Sequence, residues 1–217
     1  MKSNKALSIF LVGLAFIGIC INIDTGISTA FVKSENSGLT GFLVYKLNEQ
    51  LIGSRLSIDL FFNPFGYLLM LIGIKQLGEK VEKVNRILIA FLLAFAISVI
   101  SMLMPLYISD GGFLIKLIVA LYVLEGVALL YGLTSFVKTV KKKVDPYYNM
   151  DVGKDLSFAI ELFFFAYFII IIVMFACALD LWFFNILLYL DYIVMAYSVL
   201  YFMYKMKKHN DNLKIFE

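Results

Sequence analysis

Two acidic residues, Glu125 and Asp191, stand deep inside long apolar runs of this chain. A carboxyl near the centre of a membrane helix costs roughly 2.5–3.5 kcal/mol on insertion scales, so it is kept buried among helices, protonated or paired. At about 1.5 Å per residue, the two carboxyls lie roughly 18 and 15 Å below the outer ends of their helices. Matched depth allows the two to face each other near the midplane. Two close carboxylates in a low dielectric do not both ionise readily. A shared proton or a bound cation resolves that conflict, which is the chemistry of ion-coupled sites. The alternative is two neutral acids that serve as hydrogen-bonding glue between helices. Tyr122, Asn185 and Tyr189 flank the acids and complete the midplane set of candidate substrate- or ion-binding residues.

These residues need helices to hold them. Of 217 residues, 62% are hydrophobic and 16% charged. An average soluble domain carries about 25% charged residues, so there is too little polar surface here for a soluble sphere. Crossing a bilayer core of about 30 Å takes about 20 helical residues. Six segments qualify, near 6–23, 57–74, 87–108, 113–137, 156–178 and 181–204. The expected fold is therefore all-α, a single polytopic bundle of six spans. The first segment follows Lys2 and Lys5 but has no A-x-A-like cleavage site, and reads as an uncleaved span.

Charge placement sets the orientation. With the N-terminus in the cytoplasm, 15 of the 19 Lys and Arg fall inside, leaving Lys33, Lys46, Arg55 and Lys116 outside. The positive-inside rule favours this arrangement, with both termini in the cytoplasm. The Lys141–Lys143 run is read as a topogenic cluster that also meets lipid headgroups, with no role in nucleic-acid binding.

The external connection 24–56 is the longest. Leu39, Phe42, Leu43, Leu47 and Leu51 recur there at helical spacing, which predicts an amphipathic interfacial helix. In the second span, Asp59, Asn63, Gly66, Met70 and Gly73 share one helical face. Asp59 and Asn63 are candidate ligand residues near the outer entrance, and the glycines admit a second backbone. Pro64 is expected to free the carbonyl of Leu60 and bend the helix.

The run Ile58-Asp59, Asn63-Pro64, Gly66-Tyr67 and Leu68 through Gly73, closed by Leu77, resembles a family of small bacterial membrane proteins. Its members, mostly from Gram-positive anaerobes, read D-I-L-P-D-F-I-G-Y-I-L-I at this place. Asp59 matches the first Asp, Asn63 replaces the second, and Pro64 stands two positions later than the family proline. The family has no assigned activity, so the resemblance implies a membrane protein and adds no reaction.

Other chemistry is sparse. Cys20 and Cys177 lie in apolar runs, with no CxxC or Cys/His cluster. His209, the only histidine, reads as an exposed tail residue without metal partners. Protease, hydrolase and nucleotide-binding motifs are missing, which points away from an enzyme and from a cofactor. Glu161 lies about 9 Å into the fifth span and is expected to reach toward the headgroups. The leading expectation is a small transporter, permease component or ligand-binding membrane protein with a midplane carboxylate site. The alternative is an accessory or scaffold protein whose acids are structural. Its partners would be the bilayer and either a small solute or ion, or other membrane proteins.

Overall fold

The computed structural model describes residues 2–19, 22–28, 55–59, 63–103, 111–144, 152–178, 185–213 and 215–216. Six helices make an all-α fold: α1 (Lys2–Gly18), α2 (Asn63–Leu77), α3 (Val84–Leu103), α4 (Gly111–Val144), α5 (Val152–Ala178) and α6 (Asn185–Leu213). Each overlaps one of the six expected apolar segments as a helix, with shifted ends. Strands β1 (Asn22–Ser28) and β2 (Arg55–Asp59) form an antiparallel ribbon between α1 and α2. Asn22 pairs with Asp59 and Ile23 with Ile58, and the register slips between Asp24 and Ser28. The expected interfacial helix over 39–51 lies outside the described residues.

The ribbon corrects the second span, which begins at Asn63 instead of 57. The reason is in the pattern. Arg55, Ser57 and Asp59 alternate with Leu56 and Ile58, a period of two that belongs to a strand. Asp59 is thus a strand residue and does not share the helical stripe of Asn63, Gly66, Met70 and Gly73. Pro64 stands in the first turn of α2, where a missing N–H costs nothing, so it starts the helix and does not bend it.

Each helix packs on the next in sequence, and α6 returns to α1, so the six close into a ring. Buried stripes at helical spacing face inward: Ala6, Phe10, Leu14 and Ile17 on α1, and Met195, Val199, Phe202 and Met206 on α6. Outward faces are also apolar. Ile89 and Ile193 are each 66% exposed, with Leu92, Phe165 and Phe168 on the same outer surface. Among the described residues, Val84–Ser101, Val119–Val144 and Val152–Ile172 are long and apolar enough to cross a membrane. This apolar exterior is the surface of a membrane-associated protein, because lipid, unlike water, accepts it.

The α1–α2 pair is antiparallel and in backbone contact. A Cβ on Gly13 would stand 2.5 Å from the Gly66 carbonyl oxygen, and one on Gly73 would meet the Phe10 backbone at 2.7 Å. The glycine face of α2 therefore does admit a second backbone, that of α1. At the end of the ring opposite the ribbon, Phe10 meets Phe91 and Phe136, and Phe136 stacks on Phe216. Polar ties gather there too. Asn210 donates to Asn4 at 2.9 Å, Lys142 pairs with Glu82 at 2.7 Å, and Lys80 donates to the Phe216 carbonyl. The ring thus has a lysine-rich end and a ribbon end.

Candidate functional site

Glu125 is 4% exposed on the inward face of α4. Tyr67 of α2, fully buried, donates its hydroxyl to Glu125 Oε1 at 2.7 Å. The Ser98 side chain of α3 also lies within hydrogen-bonding reach of this carboxyl. On the other side, Gly126 leaves room for the ring of Tyr167 from α5; a Cβ there would come within 2.5 Å of it. Tyr167 stacks on Tyr122, rings 4.3 Å apart and 1° from parallel, and donates to the Tyr122 carbonyl at 2.8 Å. Four consecutive helices, α2 through α5, thus converge on one buried carboxyl. Among the described residues, no lysine, arginine or histidine bonds to it.

Asp191 is 3% exposed on α6, on the stripe that continues through Met195, Ser198 and Val199. Val199 is the residue that a Cβ on Gly18 of α1 would strike. Asp191 is eight residues farther along α6, about 12 Å toward the ribbon end. Its Oδ2 is buried and has no hydrogen-bond partner. A buried carboxylate oxygen without a donor forfeits its hydration with nothing in return, a cost of about 1–3 kcal/mol or more for a charged group.

Among the described residues no hydrogen bond joins the two acids: Tyr67 donates to Glu125, and Asp191 Oδ2 has no hydrogen-bond partner. Depth along a helix does not fix direction around the ring, and α5 stands between α4 and α6. Of the other sequence candidates, Tyr122 belongs to the Glu125 cluster. Asn63 is partly exposed at the start of α2, one turn before Tyr67. Asn185 and Tyr189 lie on the first turns of α6 and Asp59 on β2, with side chains outside the described residues. Tyr67, Ser98 and Tyr167 were not anticipated, because a hydroxyl in an apolar run carries no label of its own. The available signal for Tyr67 was its helical spacing from Asn63 and Met70.

The remaining polar side chains sort by the ring's geometry. Glu161 is on the exposed face of α5, one turn from Phe158 and Phe165, and lines no inward route. Tyr197 and Tyr204 also face outward, as interfacial aromatics do. His209 corrects its expected exposure: its side chain is 12% exposed, with Nε2 3.4 Å from Asp155 Oδ2. Lys205 Nζ reaches the same oxygen at 2.8 Å. Hydrogen bonding to Asp155, and then to Tyr201, holds the Lys205 ammonium above the usual lysine range. This cluster fastens α5 to α6 at the lysine-rich end. Among the described residues, no group of three or more His, Cys, Asp or Glu is arranged to hold a metal.

Comparison with protein-family models, with curated proteins and with solved structures finds no match to this chain.

Proposed function

We propose that this chain is a six-span bacterial cytoplasmic-membrane protein that binds a small solute or ion inside its helix ring, as a transporter or as the binding component of a permease. The observation that carries this reading is Asp191, 3% exposed inside the ring with a carboxyl oxygen that has no hydrogen-bond partner. A neutral apolar side chain would fill that space at lower cost, since a polar group at this depth is expensive and marks pathways for substrates and ions.

The uneven interior supports the same reading. Toward the ribbon lie Glu125, Asp191, Tyr67, Tyr122 and Tyr167, and toward the lysine-rich end lie Phe10, Phe91, Phe136 and Phe216. With the lysine-rich end in the cytoplasm, the polar half opens outward and the aromatic half seals the inner side. The resemblance around α2 accords with a bacterial membrane protein of this size.

The test is thermal unfolding of the purified chain against Glu125→Gln and Asp191→Asn, across pH, cations and small solutes. A solute-dependent rise in melting temperature that disappears in either variant supports binding inside the ring. Curves that shift with mutation yet ignore every solute assign the acids to helix packing, and the protein to a scaffold role with membrane-protein partners.

A further inference from the structure

The two buried acids are not equivalent. Glu125 already holds a hydroxyl donor at 2.7 Å, whereas Asp191 presents a buried oxygen that nothing in the chain satisfies. Among the described residues, the helix packed against α6 beside Asp191 offers it no positive charge: α5 carries no charged residue beyond Glu161, and α6 carries none between Asp191 and Lys205, while α1 ends at Gly18, level with Val199. The other titratable groups on these stretches are Tyr167 and Cys177 on α5 and Tyr192, Tyr197, Tyr201 and Tyr204 on α6, with Tyr189 just before Asp191. Among the described residues no second acid, histidine or cysteine joins Asp191 in a metal-binding group of the kind a divalent ion requires.

We infer that Asp191 is the contact residue for a monovalent cation, and that Glu125 instead fastens α4 to α2 through Tyr67. This rests on the solute-binding reading above and names the residue and ligand class within it. A single negative charge facing a cation-free stretch of α5 and α6 is neutralised by one positive charge. A proton and an alkali-metal or ammonium ion share that chemistry, and the experiment separates them.

The full-length protein in detergent is melted in choline chloride, then with Na+, K+, Li+ or NH4+ added at constant ionic strength, and over a pH series. Once the site is saturated, each tenfold rise in the bound cation should lift the midpoint by roughly 3–5 °C. The rise should persist in Glu125→Gln and vanish in Asp191→Asn. A response to one metal or ammonium ion identifies that ion, and a response to acid alone identifies the proton. Because Asp191→Asn can lose its fold, wild-type protein is also treated with a hydrophobic carbodiimide and the carboxyl adducts mapped by mass spectrometry. A bound metal or ammonium ion should slow labelling at Asp191 roughly tenfold at ten times its dissociation constant. A bound proton should instead make Asp191 labelling follow pH.

A response retained in Asp191→Asn but lost in Glu125→Gln overturns this assignment and leaves the solute-binding reading standing. So does a response only to a divalent ion, an anion or a neutral solute. A wild-type protein that responds to nothing, with Asp191 labelling indifferent to cation and pH, overturns both.

Discussion

A buried carboxyl among apolar helices depends on the donors around it, and Glu125 draws on the Tyr67 hydroxyl at 2.7 Å. Tyr67→Phe removes that hydroxyl with almost no change in volume. It should destabilise the folded state by about 1–2 kcal/mol, the range of interhelical hydrogen bonds in membrane proteins. Denaturant titration in detergent measures this. Combined with Glu125→Leu in a double-mutant cycle, most of the loss should appear as coupling between the pair, because the Tyr67 hydroxyl donates directly to Oε1. Additive losses would show that Tyr67 acts through packing alone. At this scale the acids were legible in the sequence, since a charge inside an apolar run is conspicuous. Their partners were not. Tyr67 and Tyr167 read as ordinary apolar-run aromatics, and only the ring's closure turns their hydroxyls toward α4. His209 was misread for a related reason: its partner, Asp155, belongs to a different helix far away in sequence.

Between elements, contact distance decides more than residue type. Gly13 and Gly66 face each other across the α1–α2 interface, each with the other's carbonyl oxygen less than 3 Å from where a Cβ would be. Neither obstacle can rotate away, since both are backbone. Gly13→Ala or Gly66→Ala should therefore push the helices apart and cost about 1–3 kcal/mol as overpacking. Gly153 is the control. A Cβ there meets only the Lys141 side-chain carbons, the nearest at 2.9 Å, and a lysine stem can swing aside. Gly153→Ala should be neutral within about 0.5 kcal/mol, or stabilising by helix propensity. Melting midpoints of the three variants, compared side by side, test the contrast. The Gly66 and Gly73 stripe was legible because small residues at helical spacing mark a close approach. The facing partner Gly13 was not, because a lone glycine in an apolar run has several explanations. The start of α2 was misplaced because Leu56 and Ile58 are apolar enough to extend a span by composition. Their alternation with Arg55, Ser57 and Asp59 is what places them in a strand.

For the molecule as a whole, closure of the ring has a consequence for both its stability and its topology. Phe216 is fully buried against Phe136, with the Lys143 ammonium 4.9 Å above its ring and the Ile215 carbonyl accepting from Lys143 at 3.3 Å. Phe216→Ala should cost about 3–5 kcal/mol, as in other cores, and show as a lowered unfolding midpoint. The same contacts tie the start of α1, the α2–α3 turn, the end of α4 and the end of α6 into one end of the molecule. Whichever side of the membrane holds one of these segments must hold them all. In the orientation proposed above, that side is the cytoplasm. In a chain with Cys20 and Cys177 replaced by alanine, a single cysteine at Lys83, Lys142 or Lys208 should react with an impermeant maleimide only in inverted vesicles. A cysteine at Asp24 or Ser57, in the ribbon that joins α1 to α2, should react only in whole cells. Labelling of the three lysine-end positions from opposite sides would contradict the closed ring itself, because their contacts require a common face. Uniform labelling from the outside would keep the ring and reverse its orientation, placing the buried acids on the cytoplasmic side of the aromatic seal.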